Sequence, residues 1–566
     1  MIKDGHFSSC SIWRQDLSKE PRSQVGHYRY NKVESKTDLI ELQEDSEMKK
    51  LIDHGQNELN RGNQRLSLIW KAALTGFAAA LVVIAYRIAL GRLESLSFQL
   101  YGYAKNNPIF LPLVFIVLGI MGYGVGKLVE KNRSISGSGI PQVKGTILGY
   151  FNVNWFNTLW SKFLGGALAI FAGLSVGREG PSIQLGACVA EGLGNRLCDS
   201  RTERNYLIAG GASAGLAAAF NAPLAGVVFA VEELFTYISP LILLVTMVSA
   251  IVAGSIARLI FGAHPVLAFP IQNALPLSSY WMICLLGIIL GGAGSLYNLV
   301  LLKTQKLYKK VSNTRIRVMI PFFLAGLLSL VFPAVLGGGH AAMEYLNLSS
   351  GLGFLTVLFL VKFIFSMISF GSGAPGGIFF PLLILGAIIG ALFGTFSILY
   401  LGLDSAYMNN FIILAMTGFF SAIVRAPLTG IVLLLEMTGS FTSMLPLALV
   451  AIIASTTADL LKSTPIYHSL LENQRKEAGS ANLPDVGQTT TVEMVVHHGS
   501  PASDNRVKDL DLPDNCLLIG IRRDGKEIIP RGGTLIRAND YIIFLINLHE
   551  EADHRDTLTK LFSVHE

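Results

Sequence analysis

From residue 67 to about residue 470 the chain alternates long apolar windows with short charged clusters. The windows 205–231, 238–257, 265–302, 318–339 and 363–403 carry no charged side chain at all. One helical membrane crossing needs about 20 apolar residues. The longest windows must therefore fold back or break inside the bilayer. Glycine and proline within them point the same way, because broken backbone survives at membrane depth only where protein or a water-filled cavity covers it. The pattern predicts an all-α polytopic membrane body over residues 67–470. Residues 1–66 are polar and mixed in charge and read as a partly disordered tail, with a possible charged helix over its second half. Residues 471–489 read as a polar linker. From 490 to 566 the period changes to two: "CLLIGIRR" and "DYIIFLI" alternate as strands, and Asp524-Gly525 is a hairpin turn signal between two of them. A small α+β domain closes the chain.

The body repeats itself. "NAPLAGVVFAVEE", 221–233, matches "RAPLTGIVLLLEM", 425–437, and aligns Glu232 with Glu436. "PSIQLG", 181–186, matches "PLLILG", 381–386, at nearly the same offset. Two matches in one register mark two corresponding halves. Corresponding segments interrupted by Gly and Pro point to a central transporter site where half-helices meet.

Composition refines this picture. The 566 residues are 51% hydrophobic and 15% charged, with 57 glycines. The net charge of +6 matters less than its placement. Basic residues gather before Lys71 and at 127–133, 196–204 and 303–317, marking cytoplasmic segments. No basic domain with interleaved aromatics exists, so nucleic acid is not an expected partner. The five cysteines show neither paired nor metal-ligand spacing. No Walker loop, zinc-protease motif or nucleophile elbow is present. Neither an enzyme, a metal nor a cofactor is expected. The start of the chain lacks the short apolar core of a secretory signal.

Four segments carry candidate chemistry. In "SGSGIPQ", 136–142, Pro141 suits the first turn of a helix and the glycines allow close backbone approach. The result is an exposed Ser138 hydroxyl before a helix N-terminus, which suits an anion. An ordinary capped helix start would explain the same residues. "GSGAPGGIFFP", 371–381, repeats the device. There the N–H groups of Ile378 and Phe379 are candidate donors, and their side chains form a dry wall. In "SVGREGPSIQLG", 175–186, Glu179 immediately precedes Gly180-Pro181. A carboxylate at a helix start is an anion in an anion site: it competes with a dissolved anion, and it can take a proton and leave the site neutral. Arg178 supplies positive potential or pairs with another acid. A surface Arg178–Glu179 pair is the plainer reading, but ionisable groups at membrane depth are functional by default. In "AVEELF", Glu232 and Glu233 point about 100° apart on a helix. One is expected to bond backbone and the other to accept protons; a solvated helix end is the alternative. Tyr467 in "KSTPIYHSLL" offers a phenolic O–H that can donate to an anion, or serves as an interface anchor. His340 in "GGGH" has no partner at metal spacing and reads as a helix-start residue.

Taken in order, "GSGIP", "GREGP", "GSGAPGGIFFP" and "RAPLTGIVLLLEMT" resemble the CLC family of chloride channels and chloride/proton antiporters over roughly residues 67–470. The resemblance implies an inverted repeat of tilted, broken helices, and a homodimer with one anion pathway per subunit. It implies a cell-membrane location with both termini cytoplasmic. Ser138 would be the inner coordinating hydroxyl and Tyr467 the phenol opposite it, with the Ile378 and Phe379 amides completing the anion site. Glu179 would be the gating glutamate that swings out when protonated. Glu233 falls where antiporters carry an internal proton glutamate, which favours antiport over the alternative, a gated chloride channel. Ser138 fits chloride better than nitrate. The chain departs from the usual "GSGIPE" at Gln142, which bears on charge pairing at the inner side. The C-terminal domain is similar to the TrkA-C lobe of potassium-conductance regulators, which dimerises and often senses a small ligand. Chloride, protons and the lipid bilayer are the expected partners.

Overall fold

The computed structural model describes residues 36–198, 200–235, 239–262, 267, 269, 271, 275–477, 489–514, 516–523, 526–547 and 551–562. The chain forms two units, Met1–Leu66 and Ser67–Glu566. In the first, the described residues are helical from Lys36 onward; residues 1–35 of the expected tail lie outside them. All that follows concerns the second unit.

Among the described residues, the body's helices pair off in two series. The first series is α1 Lys36–Asn106, α2 Leu111–Lys131, α3 Ile140–Ile147, α4 Trp155–Phe171, α5 Glu179–Leu197, α6 Arg201–Phe220, α7 Pro223–Phe229 and α8 Pro240–Phe261. The second is α9 Tyr280–Tyr308, α10 Thr314–Val331, α11 His340–Met343, α12 Gly351–Gly371, α13 Phe379–Leu401, α14 Met408–Val424, α15 Pro427–Thr438 and α16 Met444–Leu460. Local chemistry sets many of the boundaries. Asn154, Ser200 and Asn313 accept N–H bonds from the first turns of α4, α6 and α10. Proline occupies the first turn of α3, α7, α8 and α15.

The charge-free windows break as their length demands. The 205–231 window ends α6 at Asn221, φ 60°, before α7 begins. The 363–403 window breaks between α12 and α13. Arg425 sits at the position matching Asn221, also left-handed at φ 67°. Its guanidinium bonds the carbonyls of Ala422 at 2.7 Å and Ser463 at 3.0 Å, which ties down the strained turn.

Packing follows the repeat. α5 lies on α6 and α13 on α14; α6 meets α8 and α14 meets α16. α2 packs against α10 and α7 against α15, joining the halves. Small residues let the backbones close up, as membrane helices require. A Cβ added to Gly186 would run into the Gly211 carbonyl on α6, and one on Gly386 would lie 2.8 Å from the Ala415 carbonyl on α14. Outward positions such as Ile116, Ile120, Ile288, Val357 and Leu360 stay exposed, as a lipid-facing belt does. Among the described residues, eight helices are long and apolar enough to cross a membrane.

The halves are inverted. Gly177 and Gly377 exchange both backbone bonds as an antiparallel bridge, each at 2.7 Å, so the N-termini of α5 and α13 meet head to head. Glu232, beyond the end of α7, accepts from the N–H groups of Leu428 (3.1 Å) and Thr429 (2.8 Å) at the start of α15. Glu436, late in α15, accepts from Leu224 (3.1 Å) and Ala225 (2.8 Å) at the start of α7. Such reciprocal contacts require a two-fold axis lying across the helices.

The body ends in α17, Ile466–Glu477. This corrects the linker expectation in part. "YHSLLENQR" keeps an apolar face, with Leu470 and Leu471 buried, so the helix runs seven residues past 470; residues 478–488 lie outside the described residues. The small domain forms a four-stranded antiparallel sheet in the order β1-β4-β2-β3, with β1 Thr489–Val495, β2 Leu517–Arg523, β3 Lys526–Ile528 and β4 Tyr541–Asn547. The two predicted strands are β2 and β4. Asp524-Gly525 lies outside the described residues, although Arg523 pairs with Lys526 across it. Helix α18, Glu551–Phe562, covers the sheet through Leu558 and Phe562, which join Ile521, Ile542 and Phe544 in one core.

Candidate functional site

Three broken segments converge where α5 and α13 meet. Gly137 bridges Pro375, and the Gly376 N–H donates to the Gly137 carbonyl at 3.0 Å. A Cβ on Gly180 would lie 2.8 Å from the Ser138 carbonyl, and one on Gly377 would lie 3.1 Å from the Gly180 nitrogen. Ser138, the first turn of α5 and the first turn of α13 therefore share one buried spot. Ser138 is 2% exposed.

The loop before Ser138 is held with its carbonyls turned away. Lys162, fully buried on α4, donates to the carbonyls of Ile135 (2.8 Å) and Gly137 (2.6 Å). Gln142 donates to Ser136 O and Gln184 to Ser134 O, each at 2.7 Å. Four successive acceptors are thus satisfied from outside. Gln142 can do this because its amide is a donor, which an ionised glutamate is not. In the second half, Lys362 makes the same clamp on Val335 O and Gly337 O, both at 2.8 Å.

Glu179 is buried, with its side chain 2% exposed. Its own N–H and that of Phe380 act on its carboxylate as donors. Arg178 Nε lies 3.8 Å from Oε1, and Oε2 has no hydrogen-bond partner. A Cβ on Gly177 would strike that oxygen and displace the carboxylate from its place. The acid of one half thus rests on the helix start of the other.

Ile378 and Phe379 open α13 and are buried. The Phe379 ring meets Phe420 at 4.7 Å, Phe220 at 5.4 Å and Phe229 at 6.4 Å, forming the expected dry wall. Tyr467 on α17 is completely buried, and its hydroxyl has no partner among the described residues. Helix α17 packs on α3, behind Ser138. Glu233, Tyr297 and Glu179 are the ionisable groups that act on the Tyr467 phenol electrostatically.

The adjacent glutamates go to different partners. A π-helical turn over Ala230–Phe235 sends Glu232 to cap α15 and Glu233 inward to Lys144, 3.1 Å away on α3. Lys144, Lys162, Lys362 and Phe380 were not anticipated. For Lys162 and Lys362 a signal existed: "SKFLGG" and "VKFIFS" repeat Lys-Phe in the register of the halves. Among the described residues no group of three or more potential metal ligands occurs. A wide basic-edged vestibule, lined by Glu130, Arg133, Ser136, Gln142, Lys309 and Arg317 among others, opens beneath the Ser138 loop.

Two inverted halves whose interrupted helices aim their first turns at one buried spot define a polytopic membrane transport protein. The family described as "Voltage gated chloride channel" matches residues 121–459, and the TrkA-C domain matches residues 491–558. The H(+)/Cl(-) exchange transporter ClcA of Salmonella typhimurium (strain LT2) is 33% identical over 430 residues, covering 73% of this chain and 90% of the relative. Among solved structures, a slow cyanobacterial Cl−/H+ antiporter is similar at TM-score 0.69 and 30% identity, covering 73% of this chain and 99% of that one. A CLC-type fluoride/proton antiporter shares the fold at TM-score 0.60 and 23% identity, covering 71% and 97%. The chain belongs to the CLC family and carries a C-terminal TrkA-C domain.

Proposed function

We propose that this protein exchanges chloride for protons across the cell membrane. Chloride is held by the Ser138 hydroxyl, the Tyr467 phenol and the amides of Ile378 and Phe379. Glu179 is the gate: ionised, it occupies the donors at the start of α13; protonated, it releases them to the anion. Glu233 is the inner proton site, and Lys144 holds its carboxylate until a proton displaces the pair. The protein works as a homodimer with both termini cytoplasmic, and the C-terminal domain regulates it by dimerising or by binding a small ligand.

The observation that carries this reading is the buried Glu179 carboxylate lying against the Phe380 N–H with one oxygen unpartnered. A buried carboxylate with an unmet acceptor is costly, and protonation is the direct relief. The antiporter relatives support proton coupling. The test is reconstitution of the full chain in liposomes. An outward chloride gradient is expected to drive protons inward against their own gradient, and Glu233→Gln to slow that uptake. Chloride flux with no proton movement in the wild type would instead establish a gated channel.

A further inference from the structure

The inner anion turn has a counterpart in the other half. "SGSGIP", 136–141, corresponds to "LGGGHA", 336–341, and each is clamped by its buried lysine. The counterpart has lost the hydroxyl, since Gly338 stands where Ser138 does. It has gained His340 where Ile140 stands, and an acid beside it. Glu94 of α1 lies against this turn: a Cβ on Gly337 would come within 2.8 Å of its Oε1. His340 Nδ1 is 3.9 Å from the same oxygen and has no hydrogen-bond partner. The His340 ring stacks on Phe380, centroids 4.5 Å apart, and Phe380 is the residue whose N–H acts on Glu179.

Glu94, His340, Arg178 and Glu179 line one narrow cleft together with Phe380 and Gly338, with room for about one water molecule. The Glu94 side chain is 21% exposed and that of Glu179 only 2%. One carboxylate reaches water and the other does not. The other charges acting here are Arg178 and Lys362 on Glu94, and these with Arg87 on His340.

We propose that Glu94, seated opposite His340, is an outer proton station that passes protons between external water and Glu179. The proposal rests on the reading of Glu179 as the titratable gate. The transfer is a plain proton hop. Protonated Glu94 gives its proton through a single bridging water to the Glu179 carboxylate. It is left ionised beside Arg178 and Lys362, and it takes a new proton from outside. His340 is a positioning residue: its stacking on Phe380 keeps Nδ1 turned toward Glu94.

The test is proton-coupled exchange by the reconstituted full chain at several external pH values. Glu94→Gln is expected to slow exchange about tenfold at neutral external pH, a modest loss for a proton-transfer group. The deficit should shrink as the outside is acidified, because bulk protons then reach Glu179 unaided. Glu94→Asp should restore part of the rate, and His340→Gln should give a smaller loss of the same pH form. Chloride affinity, read by calorimetry in detergent, should stay unchanged in all three. Glu94→Gln working at the wild-type rate at every pH would overturn the proposal, as would a loss independent of pH accompanied by altered chloride affinity. Glu179→Gln separates the two readings. If it abolishes coupling while Glu94→Gln is neutral, only the outer station falls; if it leaves coupling intact, the gate reading falls with it.

Discussion

The two halves share a scaffold and differ in chemistry. Lys162 and Lys362 clamp equivalent turns, Glu232 and Glu436 cap each other's helices, and Gly177 and Gly377 form a symmetric bridge. At the positions that face the convergence the symmetry fails. Ser138 answers to Gly338, Arg178 to Ile378, and Glu179 to Phe379. One half contributes a hydroxyl and an acid; the other contributes bare amides and an aromatic wall. Fold stability needs the repeated residues. The proposed anion site and gate rest on the unrepeated ones, because two acids meeting head to head would repel each other and bind no anion.

The sharpest way to break this comparison is to overfill the matched helix contacts. Gly186→Ala drives a methyl into the Gly211 backbone, whereas the same change at Gly386 meets the Ala415 carbonyl at 2.8 Å. Gly186→Ala is expected to cost at least about 3 kcal/mol and Gly386→Ala about 1–3 kcal/mol. Relative yield and thermal unfolding in detergent read the difference.

Next come the clamps. Lys162→Met and Lys362→Met each remove two charge-assisted bonds, worth about 2–4 kcal/mol together after the buried charge is relieved. Both should unfold at similarly lowered temperatures. Lys162→Met alone should weaken chloride binding, because its clamp shapes the Ser138 loop. Equal loss of chloride affinity in both variants would place the anion site differently.

Tyr467→Phe removes a buried hydroxyl that bonds nothing among the described residues. Stability should change by less than about 0.5 kcal/mol, since no partner is orphaned. Chloride affinity should fall about tenfold, the loss of one hydrogen bond to an anion. A large drop in stability without a change in affinity would make the phenol structural. The smallest effect belongs to the reciprocal caps. Glu232→Gln and Glu436→Gln should each cost about 1 kcal/mol, with the double variant additive in unfolding temperature if the caps act independently.

Much of this was legible in the residues. The breaks at Asn221 and after α12 follow from windows too long for one crossing. The two-fold repeat follows from "APLxG" recurring with a glutamate at a fixed distance. The divergence of Glu232 and Glu233 follows from helix geometry, although the π-helical turn that sharpens it leaves no local signature. Phe380 escaped notice because its role lies in its backbone N–H, which every residue but proline carries. The lysine clamps were hidden by their setting, since a lysine in an apolar run reads as a window boundary until its two carbonyls are seen. Glu94 and His340 meet only through the tertiary fold, from helices far apart in sequence.

The central claim is that the Glu179 carboxylate stands in for the transported anion until a proton displaces it. The direct measurement is proton uptake into liposomes under an imposed chloride gradient, with wild-type protein and Glu179→Gln side by side. The account predicts uphill proton uptake in the wild type, and steady chloride flux with no proton movement in the variant. Proton uptake undiminished by Glu179→Gln would contradict it.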